Sequence, residues 1–432
     1  MLDLLVVPER SLGNEQWEII LGMTVCQAVK TLKSQNQTIR SVQILYNQQE
    51  PLLQDIVIDL SENGIRYKFD AITQRLKIIE IYDLTKVKLR YGYCSFCCDA
   101  CCLGELVVSI RGSHFNLPEN IPPTYRKIEE SFGATFLHEH DQTHQRLVLS
   151  FRGISFMFPT DANYKSLESR KLADLDISPE ILSLIVSRIF IYSGSKFNSS
   201  SAPDLPISCY DGHTYAAEVL VVRNSGKVKG LRFNLSLEVA VARGSSELSQ
   251  EFREEFVPFG SSCEDVIRML GTPCKVFSKD EDKMVIHDPS PHKLQHSYYS
   301  DYFFNYFTLG VDVLFDAESH TAKKFVLHTN VPGHYDFEIY HRCNFIIKLK
   351  APLNDTADLL GDDEMEVTPS VKWNIIQTFL NMPDVRPVVL NRPSSTNTIN
   401  PFGPTFCYVV EDIIFEVMAN GYIASITLFQ SD

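Results

Sequence analysis

The sequence predicts an α+β protein of antiparallel sheets and short helices, with about four degenerate helix-plus-β-hairpin units and a β-rich middle segment. The first observation is a repeated pattern that begins at Gly64 and at Gly310. Each copy reads glycine, four residues, Phe-Asp-Ala, and then a lysine seven residues after the aspartate. The second observation is a set of short amphipathic segments that carry helix start and stop signals. Repetition of one supersecondary unit is typical of a fold assembled from related parts.

The hairpins are predicted from alternation of apolar and polar residues on either side of a turn. The segments 63–81 and 309–327 both read as strand, turn and second strand. The segment EDIIFEVMANGYIASITLF (411–429) has the same shape. There, Asn420-Gly421 is predicted to supply both left-handed residues of a two-residue hairpin turn.

The helices are predicted from apolar residues at a spacing of three and four. In 259–273 this stripe follows Ser261 and Glu264, which form a predicted capping box, and it ends at Gly271. The segment 21–32 repeats the pattern with Thr24 as the cap. Two further copies are predicted at 371–383, where Asn381 takes the left-handed position, and, more degenerate, at 124–133 followed by strands over 147–158.

These signals divide the chain into six predicted segments. They are a first helix/hairpin unit (1–92), a Cys-rich insertion that is looped out (93–112), a degenerate second unit (113–165), a β-rich middle region (166–256), a third unit (257–345), and an acidic loop with the fourth unit (346–432).

Charge and hydropathy narrow the function classes. The 432 residues carry a formal charge of −14, which disfavours long-range attraction to nucleic acid or anionic lipid, so no nucleic-acid partner is expected. The start of the chain has no basic region before an apolar run, which predicts a cytoplasmic protein. The most apolar run, 180–192, contains Arg188 and is too short for a membrane span.

Motifs for catalysis or cofactor binding are weak. The sequence contains no phosphate-binding loop, dinucleotide fingerprint or nucleophile elbow, so neither an enzyme nor a cofactor is predicted. Two histidine-rich stretches, 138–144 and 328–343, contain side chains that could bind a metal. The first reads better as a solvated loop, and the second, with His328, His334, Asp336, His341 and Cys343, lacks a compact ligand pair. No metal site is therefore predicted.

Several longer motifs resemble the phagosome assembly factor 1 family. The most specific are EDKMVIHDPSPHK (281–293), DYFFNYFTLGVDVLFDA (301–317) and KKFVLHTNVPGHYDFEIYHRC (323–343), and shorter stretches extend the resemblance over nearly the whole chain. The resemblance implies an autophagy regulator without catalysis. It also implies a WD-repeat propeller partner of the breast carcinoma-amplified sequence 3 type, and recruitment of the complex to the phagophore, the autophagosome formation site.

The segment YCSFCCDACCLGELVVSIRG (93–112) departs from the family pattern, which has a short connection here. It holds five of the eleven cysteines, namely Cys94, Cys97, Cys98, Cys101 and Cys102. The preferred interpretation is an insertion looped out of the fold. A lipid or redox site and a metal site are the alternatives, although abutting cysteine pairs do not have the spacing of a zinc ribbon.

Two surfaces are candidates for binding. The aromatic stretch SYYSDYFFNYF (297–307) predicts partner docking through Tyr302, Phe304 and Tyr306, and its alternative is a strand buried on both faces. Direct phosphoinositide or lipid binding, as in a membrane-trafficking adaptor, is the second function hypothesis. It rests on Lys86, Lys88 and Arg90, predicted on one face of a strand, whose alternative role is protection of a sheet edge.

Overall fold

The computed structural model describes residues 1–91, 113–114, 122–133, 138–141, 146–160, 182–197, 200–240, 248–278, 300–351, 364–382, 385–391 and 402–430. The chain divides into two compact units. Unit 1 comprises Met1–Asn47 and Pro51–Cys209, and unit 2 comprises Gln48–Glu50 and Tyr210–Asp432. The finer segment boundaries proposed from the sequence stay predictions.

Each unit contains thirteen strands and two α-helices among its described residues. Unit 1 contains β1 (Leu2–Val7), β2 (Ser11–Gly13), β3 (Glu18–Ile20), α1 (Val25–Ser34), β4 (Gln43–Leu45), β5 (Ile56–Leu60), β6 (Ile65–Phe69), β7 (Leu76–Ile81), β8 (Val87–Tyr91), β9 (Ser113–His114), α2 (Tyr125–Phe132), β10 (His138–Asp141), β11 (Arg146–Phe151), β12 (Ile154–Pro159) and β13 (Arg188–Tyr192). Unit 2 contains β14 (Tyr215–Asn224), β15 (Lys227–Ala240), β16 (Leu248–Pro258), α3 (Cys263–Leu270), β17 (Lys275–Ser278), β18 (Tyr302–Tyr306), β19 (Val311–Phe315), β20 (Ala322–His328), β21 (Phe345–Lys350), β22 (Glu364–Val367), α4 (Trp373–Phe379), β23 (Val388–Leu390), β24 (Thr405–Val410), β25 (Ile413–Val417) and β26 (Ile423–Phe429).

The two units share one topology. Unit 1 has a five-stranded sheet, β3-β2-β1-β8-β9, and an eight-stranded sheet, β10-β11-β12-β13-β7-β6-β5-β4. Unit 2 has the same two sheets with β14–β26 in place of β1–β13. The pairs β1/β8 and β14/β21 are parallel, and the other strand pairs of the described residues are antiparallel. The predicted α+β class, with antiparallel sheets and four helix-plus-hairpin units, is confirmed.

Every helix begins with a backbone bond to a later segment of its own unit. The first helical N–H donates to a carbonyl oxygen of a hairpin connection for α1, α3 and α4, and of the segment before β13 for α2. The four donor–acceptor pairs are Val25–Gln74 (3.1 Å), Tyr125–Leu184 (2.8 Å), Cys263–His320 (3.1 Å) and Trp373–Gly421 (2.9 Å). A helix N-terminus has N–H groups without helical partners, so this bond satisfies one of them and anchors the helix to the sheet.

The helix caps agree with the sequence at Thr24 and differ at the third helix. Thr24 accepts a hydrogen bond from the N–H of Gln27 and forms a full capping box, as predicted for a cap there. At α3 the cap is Ser262, not Ser261: the Ser262 hydroxyl accepts from the N–H of Asp265 (3.1 Å). The start is displaced because Cys263 must be the first helical residue to reach the His320 carbonyl.

The predicted two-residue turn at Asn420-Gly421 is wrong. The connection between β25 and β26 runs from Met418 to Tyr422, and Gly421 has the positive φ (83°), whereas Asn420 does not. The N–H of Met418 donates to the Tyr422 carbonyl (2.8 Å), which closes the wider turn. The extra residues place the Gly421 carbonyl where Trp373 can reach it.

One hydrophobic core joins both sheets and both helices of unit 2. Alternate residues of β19 (Val311, Val313 and Phe315) lie in this core, as do Val266 of α3 and Trp373 of α4. Burial of such a side chain stabilises the fold by about 1.5–3 kcal/mol relative to exposure. The strict alternation leaves the intervening residues of β19 on the opposite face of the eight-stranded sheet.

Some predictions fall outside the described residues. They include the Cys-rich segment 93–112 with its five cysteines, and His144 of the first histidine-rich stretch. The looped-out insertion and its lipid, redox and metal alternatives therefore stay predictions. Among the helices of the described residues, none is long and apolar enough to cross a membrane.

We expect Ser262→Ala to lower the free energy of unfolding by about 1 kcal/mol, because the Asp265 N–H loses its acceptor. Ser262→Gly should cost only a few tenths of that amount, since water reaches the freed N–H. Urea unfolding followed by circular dichroism measures both. Equal stability of the alanine variant and the wild type would contradict the assigned cap.

Candidate functional site

The segment 329–344, which we call the 329–344 loop, joins β20 to β21 in unit 2. The corresponding connection of unit 1, between β7 and β8, spans only residues 82–86. The loop therefore adds chain that the shared topology does not require. Loops carried on a rigid scaffold are common sites of binding, which makes the 329–344 loop a candidate binding site.

A buried hydrogen-bond network centred on Asp312 holds the loop. Oδ2 of Asp312 lies 2.9 Å from Nε2 of His328, and the Tyr340 hydroxyl donates to both carboxylate oxygens (2.9 and 3.0 Å). Asn305 adds an amide donor to Oδ1 (2.8 Å). All four side chains are buried, so each contact replaces water that the group has lost.

The strand register explains why these residues meet. Asn305 of β18 is the cross-strand partner of Asp312 in β19, and Asp312 faces Val326 in β20, two residues before His328. Side chains two residues apart share a face of a strand, so all three lie on the face of the sheet opposite the core. Tyr340 comes from the loop and completes the network.

Tyr340 is held as a neutral donor. Its ring stacks on His328, with centroids 3.7 Å apart and planes inclined by 6°. Burial, followed by the charge of Asp312, raises the pKa of the Tyr340 phenol. The phenol therefore stays protonated and donates a hydrogen bond to the carboxylate.

A second set of contacts extends the network along the sheet. Oδ2 of Asp336 lies 3.6 Å from Nδ1 of His328 and 4.0 Å from Nδ1 of His334. Nε2 of His334 lies 3.5 Å from Oε1 of Glu416 without a hydrogen bond, and the two oxygens of that carboxylate accept from the hydroxyls of Thr405 and Ser425 (both 2.7 Å). Imidazoles and carboxylates thus alternate in a row under the loop.

This geometry favours anchoring over catalysis. A histidine that activates a nucleophile needs one ring nitrogen on a carboxylate and the other on a hydroxyl or thiol. Nε2 of His328 contacts Asp312, whereas Nδ1 has no hydrogen-bond partner among the described residues and lies 3.6 Å from Oδ2 of Asp336. The described contacts therefore serve to orient the loop.

The metal alternative at the second histidine-rich stretch finds no supporting geometry. Within the described ranges, which include all of 328–343, no group of three His, Cys, Asp or Glu side chains could hold an ion. Cys343 is fully buried, and burial raises the pKa of its thiol, which disfavours the thiolate that a metal requires. The described backbone places His138 and His140 in β10.

The outer side of the loop presents apolar side chains. Tyr335 and Ile339 are 45% and 47% exposed, and Phe337 between them is half-buried. Backbone bonds hold their positions: Glu338 N–H donates to the Asn330 side chain (2.9 Å), and Ile339 N–H donates to the Asp336 carbonyl (3.1 Å). Ordered apolar groups of this kind lose little entropy on binding, which suits them to a protein interface.

The predicted docking aromatics lie mostly inside unit 2. Phe304 and Tyr306 are buried, and the Tyr306 hydroxyl donates to the Gly271 carbonyl at the end of α3 (3.1 Å). Tyr302 is half-buried, with its hydroxyl 3.0 Å from Nδ1 of His320. Burial, followed by a hydrogen bond to Cys263, raises the pKa of Tyr302 to about 12. The burial favours the alternative, a strand packed on both faces, while docking through these residues remains a prediction.

The predicted basic stripe is divided between two elements. Lys86 ends a 3-10 turn (Leu84–Lys86) and pairs with Asp83 (3.3 Å), whereas Lys88 and Arg90 belong to β8. Arg90 pairs with Asp3 of β1 (2.9 Å). The two residues of β9 pair only with Arg90 and Tyr91 of β8, so among the described residues edge protection stays an alternative role for Lys88. Whether the stripe binds lipid remains a prediction.

Sequence reasoning missed Tyr335 and Ile339 as candidate binding residues. Alternation placed neither of them on a strand face, and the polar histidines around them suggested a metal. The available signal was the internal repeat: aligning Gly64 with Gly310 shows that unit 2 has extra residues after His328. Such an insertion in one copy of a repeat marks a position that the fold does not require.

The matching face of unit 1 has a different cluster, in which two partly exposed cations pair with one buried glutamate. Glu80 lies 2.7 Å from Nζ of Lys68 and 2.6 Å from the Arg188 guanidinium. Burial opposes ionisation of Glu80, but the hydrogen bonds and charges of Lys68 and then Arg188 outweigh it and lower the pKa of Glu80. On this face of unit 1 the buried carboxylate is held by ion pairs. On the matching face of unit 2 the buried carboxylate is held by a histidine and by a tyrosine of the 329–344 loop.

Comparisons with known proteins find relatives that match nearly the whole chain. The phagosome assembly factor 1 family model matches residues 15–429. A PHAF1 protein of Drosophila melanogaster is 43% identical over 439 aligned residues, covering 100% of this chain and 95% of the relative. PHAF1 proteins of Caenorhabditis elegans and Arabidopsis thaliana are each 32% identical and cover 98% and 95% of this chain, and 93% and 90% of their own lengths. No solved structure matches significantly.

We expect Tyr340→Phe to destabilise unit 2 by about 1–3 kcal/mol, because a buried carboxylate loses its hydroxyl donor. Amide exchange within 329–344 should also become faster. Tyr335→Phe is the matched control, since that side chain is 45% exposed and lies outside the Asp312 network, so its change should stay within about 0.5 kcal/mol. Equal exchange of the loop in both variants would contradict the anchoring role of Tyr340.

The lowered pKa of Glu80 gives a signed pH dependence. Its contribution to stability is complete above the ordinary glutamate value of 4.5 and is lost as pH falls through the lower folded-state value. The stability difference between wild type and Glu80→Gln should therefore narrow on acidification. Glu62→Gln, on the exposed turn after β5, is the control variant. A difference that stays constant from neutral pH to strongly acidic pH would show that Glu80 ionisation contributes nothing.

Proposed function

The chain belongs to the phagosome assembly factor 1 family, and from this membership we propose that it is a non-enzymatic interaction protein that regulates autophagy. It binds a WD-repeat propeller protein of the breast carcinoma-amplified sequence 3 type in the cytoplasm, and the complex is recruited to the phagophore.

The observation that carries the proposal is the anchored 329–344 loop. Its inner side chains join a buried network, while Tyr335 and Ile339 project outward. Aromatic and aliphatic anchors on an ordered surface supply much of the energy of protein interfaces. We place the contact with the propeller at these two residues, in preference to the buried Phe304 and Tyr306.

Recruitment through the partner agrees with the charge distribution. The net charge of −14 repels anionic lipid, and the basic stripe is partly neutralised by the Lys86–Asp83 and Arg90–Asp3 pairs. Such pairs reduce the positive charge that a phosphoinositide would meet. The alternative, direct lipid binding through Lys86, Lys88 and Arg90, is thereby disfavoured.

We expect Tyr335→Ser/Ile339→Ser to reduce capture of the purified propeller partner by about tenfold or more, because two interface anchors are lost. The matched control is Val388→Ser/Val389→Ser, which removes two exposed apolar side chains of β23 elsewhere in unit 2. Capture is measured by co-precipitation, with folding checked by circular dichroism.

Undiminished capture by the folded loop variant would exclude the loop as the contact, and failure of the wild type to bind the propeller would overturn the proposed function.

A flotation experiment with phosphoinositide vesicles tests the alternative. Binding of the chain without its partner, abolished by Lys86→Glu/Lys88→Glu, would promote direct lipid recognition.

A further inference from the structure

The internal repeat shows which parts of unit 2 exceed what the fold requires. In unit 1, β2 and β3 each have three residues. Their counterparts in unit 2, β15 and β16, have 14 and 11 residues. The same topology forms with the short pair, so the long β15–β16 ribbon has another role.

Strand β16 offers a regular edge for pairing. It is the terminal strand of its sheet within the described residues, and its register with β15 is unbroken from Gly230↔Pro258 to Ala240↔Leu248. Native proteins usually shorten or distort edge strands, because free backbone groups recruit other strands. β16 is long, and its described pairing shows no bulge.

The hydrogen-bond pattern identifies the groups on the free edge. Beyond the last register pair, the Phe259 N–H donates to the Lys229 carbonyl (3.1 Å). Antiparallel pairs alternate between bonded and non-bonded, so every second residue before Phe259 also bonds to β15. Phe252, Glu254 and Phe256 therefore direct their N–H and carbonyl groups outward, and Pro258, which has no N–H, falls in the same set.

The side chains along this edge are unusual for a solvated strand. Phe252 and Phe256 are 60% and 40% exposed and share one face with Glu254. The opposite face is fixed, because Arg253 donates to the Arg268 carbonyl at the end of α3 (3.3 Å) and Val257 lies in the core. An anchored strand thus presents two aromatic side chains beside backbone groups with which no described strand pairs.

Charge indicates the kind of strand that would pair there. The stretch Glu251–Phe256 contains three glutamates and one arginine. Glu254 pairs with Arg232 of β15 (3.3 Å) and Glu255 pairs with Arg253 (2.6 Å), so the three glutamates and these two arginines leave one net negative charge. Pairing two copies of this edge would bring six glutamates together with four arginines, and like charges across a strand pair are destabilising. A basic strand would instead be attracted.

We propose that β16 is a docking edge for an extended, basic segment of a partner protein, which adds to the sheet as a further strand. Main-chain bonds form at Phe252, Glu254 and Phe256, lysine or arginine side chains of the segment meet the glutamates, and its apolar side chains cover the two phenylalanines. The inference deepens the proposed function and rests on the chain being an interaction protein.

The test uses a labelled peptide of about nine alternating lysine and valine residues, the length of a typical strand. Fluorescence anisotropy with the full chain measures binding, and a glutamate–valine peptide controls for sign of charge. Glu254→Pro deletes one outward N–H without touching the ladder to β15, whereas Glu254→Ala removes the same charge and keeps the N–H. Amide exchange of the wild type supplies a measurement that depends on no variant.

We expect the basic peptide to bind and to protect the amides of Phe252, Glu254 and Phe256 from exchange. Glu254→Pro should weaken binding by about tenfold beyond Glu254→Ala, since the alanine variant keeps the main-chain bond. The inference is overturned by absence of binding up to about 1 mM, by equal binding of the acidic peptide, by equal affinity of the two variants, or by a dimer that protects the same amides without peptide. The substitutions Tyr335→Ser and Ile339→Ser lie outside β16 and should leave peptide binding unchanged. Loss of propeller capture and loss of peptide binding are therefore separate results that test separate proposals.

Discussion

The fold depends on one backbone interaction, which occurs four times: the first N–H of each helix donates to a carbonyl of the paired hairpin or of the segment that leads into it. A helix of seven to ten residues is too short to be stable in isolation. Its retention therefore depends on burying one face and on satisfying its N-terminal donors. The backbone bond satisfies one N-terminal donor, and it fixes the position at which the apolar face of the helix can be buried. It decides that α3 starts at Cys263, and it accompanies the wider turn that brings Gly421 to Trp373.

The two units show how a repeated scaffold diverges at its surface. Strand order, the parallel central pair and the helix positions are the same in both. Two differences are the 329–344 loop and the β15–β16 ribbon of unit 2. Each contributes to the core, for example through Cys343 and Val257, and each also carries residues that the shared topology does not require. Added chain of this kind is where a fold acquires new contacts. The exposed apolar side chains on the two features, Tyr335, Ile339, Phe252 and Phe256, fit an interaction protein.

Buried polar groups have different tasks in the two units. In unit 1, Glu80 is held by Lys68 and Arg188, and these charges close the sheet face. In unit 2, Asp312 and His328 are covered by a loop that needs a defined orientation. Hydrogen bonds are directional, whereas apolar contacts are not, so a network of them specifies one loop conformation. An interface residue such as Tyr335 benefits from that order, because little freedom remains to be lost on binding.

The sequence by itself determined the local structure and the family. Period-two and period-3.6 patterns located the strands and helices, the Gly-x4-Phe-Asp-Ala pattern revealed the repeat, and long motifs around 281–343 identified the relatives. These signals depend on residues a few positions apart in the sequence, so they can be read without knowledge of the fold. Only the tertiary structure decided that Phe304 and Tyr306 are buried and that Arg90 is paired with Asp3, because burial and pairing depend on segments distant in the chain. The exposure of Tyr335, Ile339 and the β16 edge was likewise decided only by the tertiary structure. A sequence pattern shows which residues share a face, whereas the packed neighbours determine whether that face is covered.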